Sequence, residues 1–163
     1  MSTGTKFGFV NNANVQQVKF TAVKFDASNE GGISTPTKAN DGPIAGVLTE
    51  SLLPYGVYEY KNGVYDTSLN GVAWPSTALD NGVHNVSVQV EGRVQAIKGA
   101  TGTVAQGDRI ATSDATGRMD SIEADGLNLA TGTKAYVVGY ALTSASTAGD
   151  VFKLYVKPEY ITV

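Results

Sequence analysis

From Val151 to Lys157 the chain alternates without a break: Phe152, Leu154 and Val156 fall on one face, Lys153, Tyr155 and Lys157 on the other. A period of two is what a half-buried β-strand requires and what an amphipathic helix forbids. The same alternation recurs where Val86, Val88 and Val90 are set against Asn85, Ser87, Gln89 and Glu91. Such runs build sheets with one dry and one wet face. Gly149-Asp150 announces the run from Val151, and the same dipeptide, Gly107-Asp108, opens Arg109-Ile110-Ala111-Thr112. Between them, Asp114-Ala115-Thr116-Gly117 reads as a reversal in which Asp bonds its own backbone and Gly takes positive φ. Tyr136 to Leu142 supplies another apolar strand.

Further strand candidates precede these. Val15 to Phe25 alternates and then slips phase after Ala22, as a β-bulge does. Asn29-Glu30-Gly31-Gly32 and Asp41-Gly42-Pro43 read as turns, the second leading into Ile44-Ala45-Gly46-Val47-Leu48. Val57 to Tyr60 and Val64-Tyr65 flank Lys61-Asn62-Gly63, and Asn-Gly is the strongest short hairpin signal. After Gly92, Arg93 to Ile97 reads as a strand of its own. No segment has helical periodicity, and 19 glycines with only 17 % charged residues suit short strands and tight turns.

The expected fold is therefore all-β: a single compact β-barrel or β-sandwich domain over residues 15–163, with a β-tulip-like form among the options. Residues 1–14 are polar, with Phe7 and Phe9 as isolated anchors and Asn11, Asn12 and Asn14 behind them. They read as an extended N-terminal arm that cannot order itself without something to hold it, either a partner or, as the alternative, its own domain on which it folds back. Residues 52–81 read as an aromatic-rich insertion containing the only tryptophan, Trp74.

Chemistry is constrained mainly by what is missing. With no cysteine and one histidine, His84, the chain lacks the ligands for a zinc site and the thiol for a Cys nucleophile. His84 stands at the head of a strand, and its neighbour Ser87 does not assemble a triad with it. Calcium would need Asp114 to Asp120, or Asp26 with Asn29 and Glu30, but neither stretch has calcium-loop spacing and turn chemistry explains both. Gly99-Ala100-Thr101-Gly102-Thr103 lacks the lysine of a phosphate loop and reads as a turn. No catalytic, cofactor or metal residue is expected, and the chain is expected not to be an enzyme. A net charge of −3 argues against a nucleic-acid partner, and Lys19 with Lys24 reads as a solvated strand face or a blunted sheet edge. No apolar run has the length of a membrane span or signal core, so a soluble protein made in the cytoplasm is expected.

The order of several segments carries a resemblance. Val18-Lys19-Phe20 with Ala22-Val23-Lys24-Phe25, Gly42-Pro43-Ile44-Ala45-Gly46-Val47-Leu48-Thr49-Glu50 and Val88-Gln89-Val90-Glu91-Gly92-Arg93-Val94 come first. Gly107 to Asp114 through Gly117-Arg118, Val138-Gly139-Tyr140-Ala141-Leu142 and Gly149-Asp150-Val151 follow. Over roughly Val15 to Pro158 this chain resembles the capsid decoration, or cement, proteins of tailed double-stranded DNA bacteriophages. The resemblance implies a homotrimer at threefold positions on the exterior of a virion, clamping neighbouring major capsid protein subunits of the expanded head. Lys6, Phe7, Phe9, Asn11 and Asn12 would then form a capsid-binding arm. The segment 52–81 departs from the family's pattern, and Tyr55, Tyr58 and Trp74 would give it an exposed aromatic surface. The alternative is a glycan- or host-surface-binding β module of a virion, with Tyr60 and Tyr65 joining that platform.

Overall fold

The computed structural model describes residues 3–11, 18–28, 30–50, 59–61, 64–66 and 85–163. Among them there is no helix. Eleven strands form: β1 (Thr3–Asn11), β2 (Ala22–Phe25), β3 (Gly32–Ser34), β4 (Ile44–Leu48), β5 (Glu59–Lys61), β6 (Val64–Asp66), β7 (Asn85–Ile97), β8 (Arg109–Thr112), β9 (Met119–Ser121), β10 (Lys134–Ala141) and β11 (Val151–Thr162). Nine of them make one sheet in the order β1-β3-β2-β4-β7-β11-β10-β8-β9, curled into a half-barrel and antiparallel except where β1 meets β3. The all-β expectation is what is found.

β7 is the spine. At Gln89 it faces Lys6 of β1 on one edge and Val47 of β4 on the other, and at Arg93 it faces Thr3 and Tyr155 of β11. Sequence alternation split this strand at Gly92, but it runs through. Gly92 adopts φ 104°, and there the edge passes from β4 to β11. The two halves of the spine enclose separate cores. One gathers Val23, Ile33, Ala45, Leu48, Val86 and Val88, with Phe9 packed against it. The other is built on Phe152, Leu154 and Val156, the dry face of β11, against Val94, Ile110 and Met119.

Local chemistry sets the turns as expected. Ala105 to Asp108 and Thr147 to Asp150 close in the same way. In each, the Asp amide donates to the carbonyl three residues back, at 3.2 and 3.0 Å. The Asp carboxylate in return accepts that residue's N–H, at 2.8 and 3.0 Å. The glycine before each Asp supplies the positive φ, 94° and 89°. Gly117 has φ 76°, and the Asp114 carboxylate accepts the Thr116 N–H at 2.8 Å. β5 and β6 pair antiparallel as their own two-stranded sheet with Lys61 opposite Val64; Asn62 and Gly63 lie outside the described residues.

Other boundaries move. Of the strand expected from Val15, the first three residues lie outside the described residues; among the described ones only Ala22–Phe25 extends, because Phe20 takes φ 71° in a turn. The phase slip is a register shift between Val23 and Lys24, which leaves Ala22 and Val23 both buried. β11 continues through Pro158 to Thr162. It does so because the pairing with β10 shifts between Val137 and Gly139, so the proline, which has no N–H, sits at the irregularity. β9 had no alternation long enough to be seen.

Candidate functional site

Two surfaces stand apart from the cores. The first is β1, which carries Lys6, Phe7, Phe9 and Asn11 of the expected arm; Asn12 lies outside the described residues. Thr3 to Val10 is registered against Arg93 to Asn85 of β7. A main-chain ladder asks nothing of side chains, so low apolar content does not prevent it. The Gln89 side chain adds to the ladder, its Nε2 donating to the Thr5 carbonyl at 3.3 Å.

The other edge of β1 is open over most of its length: β3 takes only Val10 and Asn11, and no described strand pairs beyond them. Beside this edge Phe7 is 56 % exposed. Phe9, on the same face two residues on, meets Phe25 edge-to-face at 5.9 Å, and Phe25 is itself 46 % exposed. An open strand edge flanked by phenylalanine is suited to adding a partner strand, with backbone bonds for affinity and rings for specificity.

The second surface is a groove of about 390 Å³ lined by Pro43, Ile44, Tyr136, Pro158, Glu159 and Tyr160. Tyr136 and Tyr160 stack at 4.8 Å and 29°, and the Lys134 ammonium lies 5.7 Å from the Tyr160 ring centre. The Tyr136 ring rests on Gly42, where an added Cβ would come within 2.4 Å of it. Beside the groove Glu159 accepts from the Tyr140 hydroxyl at 2.8 Å and pairs with Lys157 at 3.0 Å. Those two bonds hold its carboxyl below the usual range, and the bond to Glu159, followed by burial, raises Tyr140. Sequence reasoning missed this site because Tyr136 and Tyr160 are distant in the chain and meet only through the β10–β11 register.

The residues weighed for chemistry are occupied by structure. The loop from Gly99 wraps inward around Lys98, whose ammonium donates to the carbonyls of Gly99 and Thr101 and to Asp120. Asp120, half of the calcium candidate, is thus paired away from Asp114, and Asp26 accepts the Ser28 N–H. Lys24 is not a solvated face: it bonds Asp41 at 2.8 Å. Among the described residues no group of three His, Asp or Glu side chains converges as a metal set would. Tyr55, Tyr58, Trp74 and His84 lie outside the described residues, and Tyr60 faces Tyr65 across β5 and β6.

No protein-family model and no curated protein matches this chain.

Proposed function

We propose that this protein is a non-enzymatic structural component of a virion, a cement protein that binds the outside of a phage capsid. In this reading it stabilises the expanded head by bridging neighbouring major capsid protein subunits, as a homotrimer at threefold positions. The observation that carries the reading is β1, whose edge away from β7 is paired by described strands only at Val10 and Asn11, with the exposed rings of Phe7 and Phe25 beside it. A capsid strand added at that edge would bury both rings, and a trimer would engage several such edges at once. Each contact already made raises the effective concentration for the next, so modest interfaces sum to tight decoration.

The test mixes the purified protein with expanded and unexpanded phage heads and images the product. Decoration of expanded heads is expected, and Phe7→Asp together with Phe25→Asp should abolish it while leaving the melting midpoint within a few degrees of wild type. Full occupancy by the double variant, or no decoration by the wild type, refutes the proposal. A second reading, a glycan-binding virion module, is favoured by the Tyr136–Tyr160 groove, whose stacked rings and charged rim suit a sugar. Binding to a glycan array that is lost in Tyr160→Ala would select it.

A further inference from the structure

Register aligns a row of side chains that neither core uses. Tyr155 of β11 stands opposite Arg93 of β7 and Tyr140 of β10, and Tyr140 stands opposite Arg109 of β8. At a strand spacing of about 4.8 Å, the two arginine positions are roughly 14 Å apart with two tyrosines between them. Lys153 and Lys157 flank Tyr155 on the exposed face of β11, while Phe152, Leu154 and Val156 are buried beneath. Four cations thus surround a tyrosine pair in a protein of net charge −3.

Half of this arrangement already holds carboxylates. Arg109 bonds Glu123 at 2.8 Å, and Glu159 bridges the Tyr140 hydroxyl and Lys157. The other half repeats the same chemistry around Tyr155, with Lys153 two residues before it and Arg93 across from it. Neither cation has an ion-pair partner among the described residues. Glu91, two residues from Arg93 on β7, is the remaining carboxylate nearby.

We propose that the face across β7, β11, β10 and β8 docks a polypeptide segment rich in Asp and Glu, with an incoming carboxylate set between Arg93, Lys153 and the Tyr155 hydroxyl. The Tyr140–Glu159–Lys157 set is the pattern for that contact, supplied there by the chain itself. Charge-assisted bonds to a guanidinium are the stronger kind and take carboxylates in a fork, and Tyr and Arg are the residues that concentrate interface energy. A phosphate backbone fits less well. Glu91, Glu123 and Glu159 are interspersed with the cations, and the net charge of the whole molecule opposes a polyanion of high charge density. This docking face adjoins β1 at Arg93, which stands opposite Thr3, but it does not use the free edge of β1 and does not rest on the capsid reading.

The test uses the full chain and fluorescence anisotropy with a labelled Glu-rich peptide. A Lys-rich peptide of equal length and a single-stranded oligonucleotide serve as comparators. The Glu-rich peptide should bind best, with affinity falling as salt rises. Arg93→Glu should weaken it by about tenfold or more, the effect of one lost charge-assisted bond. Tyr155→Phe should weaken it less, and Lys38→Glu, outside the aligned row, should leave it unchanged. All three positions are exposed, and a melting curve checks that each variant is folded. Equal binding of acidic and basic peptides, wild-type affinity in Arg93→Glu, or tighter binding of the oligonucleotide overturns the proposal.

Discussion

The Lys98–Asp120 pair offers the sharpest test of how the central strand β7 is tied to β9 at the end of the sheet. Lys98 follows β7 and Asp120 lies in β9; their side chains are 1 % and 0 % exposed and meet at 2.9 Å. The three ammonium protons have three acceptors: Asp120 at 2.9 Å, the Gly99 carbonyl at 3.0 Å and the Thr101 carbonyl at 3.3 Å. The second Asp120 oxygen accepts the Thr101 N–H at 2.9 Å. Asp120→Ala would leave a buried ammonium with two carbonyls and no counter-charge, which costs about 3–5 kcal/mol. In a chain of this size each kcal/mol moves the melting midpoint by about 2–4 °C, so a drop of roughly 6–20 °C is expected. The double variant Lys98→Met with Asp120→Leu removes both charges but orphans the Gly99 and Thr101 backbone groups, at about 1–3 kcal/mol for each group left unsatisfied. It should remain less stable than wild type while costing less than the sum of the two single changes, because the pair is coupled. Urea titration of wild type, Asp120→Ala, the single variants Lys98→Met and Asp120→Leu, and the double variant measures this directly. If Asp120→Ala lies within 1 kcal/mol of wild type, or if the two changes are additive, the charges are not buried against each other and the reasoning fails.

Three further outcomes are expected. Gly117→Val should destabilise the domain by about 1 kcal/mol or more, since φ 76° is costly for a β-branched residue and the Gly117 carbonyl also anchors the Ala22 N–H at 2.7 Å; an unchanged urea midpoint would contradict this. Burial opposes ionisation of Asp41, but bonds from Lys24 and Thr37 outweigh it and hold the carboxyl at about 2 against an ordinary 3.8. The unfolded state therefore binds this proton more readily, so about 2 kcal/mol of stability is present above pH 4 and is lost as pH falls through 2. Asp41→Asn should flatten that part of the pH–stability curve, and an identical acid limb in the variant would rule the linkage out. Asp108→Ala and Asp150→Ala each remove one side of a reciprocally closed turn and should each cost about 1 kcal/mol in thermal melts, additively because they act on separate turns.

What the sequence alone determined is whatever depends on neighbours in the chain. Alternation at Phe152, Leu154 and Val156 specified a strand and its dry face, because side chains one residue apart must point oppositely. Asp114 with Gly117 and the two Gly-Asp pairs specified reversals, because their bonds or φ values are met within four residues. Alternation could not say which strands adjoin. That β7 continues through Gly92, that a polar N-terminal stretch pairs with it, and that Tyr136 stacks on Tyr160 all follow from register between distant segments. A ladder is made of backbone groups that every residue carries, so it leaves no mark on composition. Lys98 and Asp120 are the clearest case: nothing beside either in the chain marks it for burial, and only the curl of the sheet, setting Lys98 beside Met119, turns them into a buried pair.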